Sequence, residues 1–70
     1  MFIKIQNVII AKNIIKTVYT TIDSYKYQGK VIEKGWALTV TTTDGTERFA
    51  YDSRAELDTA FNEVLEALMG

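Results

Sequence analysis

Thr42-Thr43-Asp44-Gly45-Thr46 decides the fold of this chain, because a turn there pairs two strands and leads directly into a well-marked helix. Asp-Gly between alternating runs is a strong hairpin signal, since both central residues of a type I′ turn need positive φ. With Asp44 and Gly45 as the loop, Thr43 is expected opposite Thr46, Val40 opposite Phe49 and Leu38 opposite Tyr51. One face then carries Trp36, Leu38, Val40, Phe49 and Tyr51, and the other carries Ala37, Thr39, Thr41, Arg48 and Ala50. A one-residue slip would turn Phe49 and Tyr51 onto the polar face, so pattern and register support each other.

Downstream of the turn, Ser53-Arg54-Ala55-Glu56 reads as a capping box, in which each side chain satisfies an orphan backbone N–H. Leu57, Phe61, Val64, Leu65 and Leu68 then recur at helical spacing with Ala60 in the same stripe, and Glu56, Asp58, Asn62, Glu63 and Glu66 face away. The expected helix covers residues 54–69.

Upstream, Phe2 to Gln6 and Val8 to Ala11 read as a short hairpin turning near Asn7, with a second turn at Lys12-Asn13. Ile14 to Ile22 is β-branched, with Ile14, Val18 and Ile22 on one face beside Lys16, and Ile15 and Tyr19 on the other. Asp23 to Lys30 is a polar connection with two tyrosines, either a loop or the tip of an extended hairpin flanking a Gln28-Gly29 turn. Residues 31–43 resume strand character, and Gly35 inside them marks a bulge or a close backbone approach. The expected architecture is α+β, a single domain: an antiparallel meander of four or five strands (2–6, 8–11, 14–22, 31–43 and 46–51) with the C-terminal helix lying on one face.

Seventy residues bury only about 60% of the surface their unfolded chain exposes, so such a domain commonly needs a staple or a partner. The absence of Cys and His excludes disulfides and the usual zinc sites, which leaves self-association. No apolar run approaches the roughly 20 residues of a membrane span, and the N-terminus lacks the features of a signal peptide, so the expected location is the cytoplasm with no membrane partner.

Charge is divided along the chain. Met1 to Gly35 holds six Lys against Asp23 and Glu33, a balance of +4; Trp36 to Gly70 holds Arg48 and Arg54 against seven acids, a balance of −5. The two halves can meet within the fold, across a dimer contact, or at separate faces serving different partners.

Catalysis is not expected. His and Cys, the side chains best suited to proton transfer and nucleophilic attack at neutral pH, are missing, and Ser53 is explained as a cap. No glycine-rich phosphate loop is present and no cofactor is implied. Asp44, Glu47 and Asp52 are the carboxylates a hard cation would need, but their spacing matches no calcium loop. The leading expectation is a non-enzymatic protein–protein interaction module that binds itself, as a homodimer or larger, or another protein. The alternative is single-stranded nucleic-acid binding, and a second alternative is metal binding through the C-terminal carboxylates. Lys16, Tyr19, Tyr25, Lys26, Tyr27 and Lys30 are the candidate surface for a protein partner or a nucleic acid, flanked by Lys12 and Lys34, because interleaved cations and aromatic rings suit backbone phosphates and stacked bases. A sequence pI near 5.2 counts against the nucleic-acid reading.

Overall fold

Gln28 and Gly29 both hold positive φ, at 51° and 78°, and so close a two-residue turn between two long strands. A computed structural model describes all residues from Met1 to Gly70. It places β1 at Phe2–Ile5, β2 at Val8–Ala11, a 3₁₀ turn at Lys12–Ile14, β3 at Ile15–Tyr27, β4 at Lys30–Thr42, β5 at Gly45–Tyr51 and α1 at Arg54–Met69. The polar stretch after Ile22 is therefore strand and not loop. β3 and β4 are each 13 residues long and form one antiparallel ribbon from Ile15/Thr42 to Tyr27/Lys30.

The ribbon changes register once in each half. Between Asp23 and Ser24 the partners step from Gly35 to Glu33, which leaves Lys34 as the extra residue of a bulge on β4. Gly35 approaches β3 closely there: a Cβ would stand 3.3 Å from the Asp23 carboxylate, which would have to shift by a few tenths of an ångström. At the other end the partners of Ile15 and Thr17 are Thr42 and Thr41, so Lys16 is the extra residue on β3. That bulge turns Ile15 to the core side, where it packs with Ile14 and Val18; it does not share a face with Tyr19 as simple alternation predicted.

The β4–β5 hairpin keeps the expected faces but not the expected partners. Leu38 lies opposite Phe49, Trp36 opposite Tyr51 and Val40 opposite Glu47, with Thr42 opposite Gly45. The loop is thus Thr43-Asp44, one residue earlier than an Asp44-Gly45 turn, which shifts every cross-strand partner by two. Thr42 Oγ1 accepts from the Asp44 N–H at 3.1 Å and donates to the Gly45 carbonyl at 3.2 Å, and Gly45 takes its positive φ of 144° after the turn. A slip of two preserves side-chain alternation, which is why the apolar face survives it.

β3, β4 and β5 form one sheet in that order; β1 and β2 pair separately, with Ile3 opposite Ile10 and Ile5 opposite Val8. The 3₁₀ turn between β2 and β3 breaks the meander into these two sheets. Gln6 Nε2 donates to the Ala50 carbonyl at 2.8 Å, tying the first hairpin to β5. The helix and the first hairpin together cover one face of the three-stranded sheet, and the core is Ile3, Ile5, Ile10, Leu38, Val40, Phe49, Leu57 and Val64. Leu38 and Val40 are wholly inaccessible because they occupy the central strand under the helix. Phe61 and Leu68 pack at the edge of this cluster.

Ser53 caps α1 by accepting the Glu56 N–H at 3.2 Å. The return bond of the box is displaced by one residue, since Glu56 Oε2 accepts from the N–H of Asp52 at 3.1 Å. At the other end Lys12 Nζ donates to the Gly70 carbonyl at 3.2 Å, placing a cation where the helix dipole is negative.

Candidate interaction surface

Alternation along β3 puts Tyr19, Tyr25 and Tyr27 on one side of the ribbon, the side opposite the helix, because their partners Thr39, Ile32 and Lys30 share the face of Ala37 and Thr41. All three rings are open to solvent, at 46%, 46% and 59% exposure. Lys30 stands beside Tyr27. The bulge brings Lys34 Nζ to 5.9 Å from the centre of the Tyr25 ring, a cation–π placement.

The structure assembles only part of the expected surface. Tyr19, Tyr25, Tyr27 and Lys30 share one face, whereas Lys26 pairs with Val31 on the helix side of the ribbon. Lys16, in the bulge at the far end of β3, is roughly 33 Å from Lys26 at about 3.3 Å per residue. Lys34 takes its place at the aromatic surface through a bulge whose sequence signal is Gly35. Ile9 and Tyr19 are exposed, and Ile15 is not. Asp44, Glu47 and Asp52 do not gather: no three carboxylates come together as metal ligands would.

The ion pairs answer how the two charged halves relate. Arg48 reaches Asp23 at 3.9 Å and Arg54 reaches Glu33 at 3.2 Å, and there are no others. Each links an arginine of the acidic half to an acid of the basic half. The pairing therefore consumes the minority charges, leaving six lysines without a carboxylate partner and seven acids without a basic one.

Three of those acids line a groove between β5 and the first half of α1. Asp52, Glu56 and Glu63 surround Tyr51, Ala55 and Ala60 in an open depression of about 640 Å³. Partial burial raises the Tyr51 hydroxyl above its usual pKa; the hydrogen bond with Gln6 opposes this and the neighbouring Glu63 charge adds to it. Sequence reasoning missed the groove, although the negative balance of the C-terminal half was its visible trace. No helix is long and apolar enough to cross a membrane. Comparison with protein-family models, curated proteins and solved structures finds no match to this chain.

Proposed function

We propose that this protein is a small cytoplasmic, non-enzymatic protein–protein interaction module, homo-oligomeric, that meets its partner through the outer β3–β4 ribbon. One observation carries the reading: beyond the bulge the ribbon extends past the helix with Tyr25, Tyr27 and Val31 exposed, in a molecule 47 Å long and only 22 by 20 Å across. A two-stranded ribbon is marginal in water by itself, and exposed aromatic side chains at its tip are the anchors interfaces favour. The outer strands β3 and β5 also offer open edges for pairing. The lack of His and Cys supports binding over catalysis.

Light scattering over a concentration series tests the proposal. The expected mass at micromolar concentration is a dimer or larger, and Tyr25→Ser with Tyr27→Ser should weaken association. A 7.9 kDa species at millimolar concentration would end this reading.

A second reading, single-stranded nucleic-acid binding, is supported by the row of tyrosines with Lys30 and Lys34 on one face. It ranks below the first because the seven unpaired acids of the same small molecule would repel a polyanion.

A further inference from the structure

We infer that copies of this chain associate head to tail, the basic ribbon tip of one copy seated in the acidic groove between β5 and α1 of the next. The inference rests on the self-association proposed above and names the surfaces that perform it. Lys26, Lys30 and Lys34 flank the tip and none has a carboxylate partner in its own molecule. Glu33, the one acid among the residues beyond the ribbon bulge, is occupied by Arg54 and by the Trp36 N–H, so the tip presents lysines, tyrosine rings and Val31 with no free carboxylate. Asp52, Glu56 and Glu63 rim the groove and are likewise without a basic partner.

The two features complement each other in charge and in shape. Three lysines on a projecting ribbon meet three carboxylates around a depression whose lining includes Tyr51, Ala55 and Ala60, where the tip tyrosines find apolar contact. A nucleic acid would answer the lysines and leave the acids repelled, whereas a second copy answers both and the assembly stays close to neutral, at −1 per chain. Because the tip and the groove are different surfaces, the contact is heterologous: it repeats from copy to copy and yields a ring or an open chain.

The test uses the intact chain and two charge-reversed variants, Lys26→Glu/Lys30→Glu at the tip and Asp52→Lys/Glu63→Lys in the groove, with circular dichroism to verify folding. Neutral versions with Gln or Asn serve where reversal unfolds the protein. Association of the unaltered chain should weaken at least about tenfold between low salt and about 0.5 M salt, as exposed charge pairs are screened. Each variant alone should be monomeric, and an equimolar mixture should regain association, since the intact tip of one variant meets the intact groove of the other and the reversed tip meets the reversed groove. A mixture that stays monomeric overturns the inference. Variants that self-associate as tightly as the unaltered chain also overturn it while leaving the homo-oligomer reading standing. An unaltered chain that is monomeric at millimolar concentration removes both; if that monomer binds labelled oligo-dT and the tip variant does not, the nucleic-acid reading replaces them.

Discussion

The indole N–H of Trp36 donates to Glu33 Oε2 at 2.9 Å, while the other oxygen of the same carboxylate accepts from Arg54 at 3.2 Å. One half-buried side chain thus joins the base of the projecting ribbon to the first turn of the helix across the Lys34 bulge. The two bonds are unequal. The Arg54 partner is largely exposed, so its ion pair contributes little, whereas the indole bond is charge-assisted and partly buried.

Glu33→Ala is therefore expected to cost about 1–2 kcal/mol and to alter the tryptophan emission, while Arg54→Ala costs less than about 1 kcal/mol. Urea unfolding monitored by fluorescence measures both. Equal effects from the two substitutions would show that the ion pair, not the indole bond, anchors the ribbon.

Gly45 holds φ at 144° after the Thr43-Asp44 loop, with open space where a Cβ would project. Gly45→Val should lower stability by about 1 kcal/mol or more through backbone strain alone, since no neighbour obstructs the side chain. An unchanged melting temperature would place the positive-φ residue elsewhere in the turn.

Leu57 is the most deeply buried residue of the helix and packs in the cluster that contains Leu38, Val40 and Phe49. Leu57→Ala should cost about 2–5 kcal/mol, a large share of what a domain of this size has. Phe61→Ala should cost less than a fully buried phenylalanine would, because Phe61 sits at the rim of the core. Chemical denaturation of the two variants checks the order.

The Thr21 hydroxyl is buried without a hydrogen-bond partner. Thr21→Val keeps the β-branched shape and removes the unsatisfied group, so stability should stay the same or rise by up to about 1 kcal/mol. A loss above about 1 kcal/mol would mean that the hydroxyl is satisfied, by water or by a partner chain.

Tyr51 provides a pH signature. Its folded pKa lies above the usual value of about 10, so on raising the pH the unfolded chain gives up the phenolic proton first. Stability should therefore begin to fall as the pH passes about 10 and continue to fall until the folded tyrosine also ionises. Tyr51→Phe should flatten that decline in thermal melts recorded between pH 8 and 11. An identical slope in the variant would assign the effect to other tyrosines.

Local physics settled a good part of this molecule from the sequence. The helix was legible because its cap, its apolar stripe and its length are all local features, and the two faces of β4 and β5 were legible because alternation survives a two-residue slip. Partner identity was not, because whether Gly45 sits within the turn or just after it depends on hydrogen bonds made by Thr42, which alternation does not sense. The bulge at Lys34 had its local signal in Gly35, whereas the one at Lys16 had none; together they place Ile15 on the core side and Lys34 at the aromatic face.

Sequence by itself likewise determined that one half is basic and the other acidic, since charge is a sum over residues. Only the tertiary structure decided that the halves do not neutralise each other. The two arginines take the two acids of the basic half, while Lys26, Lys30 and Lys34 are held on the projecting ribbon and Asp52, Glu56, Asp58, Glu63 and Glu66 on the helix and its groove. Coulomb attraction between exposed charges falls off within roughly 10 Å in salt water, so pairing depends on where the fold places them and cannot be read from their order along the chain.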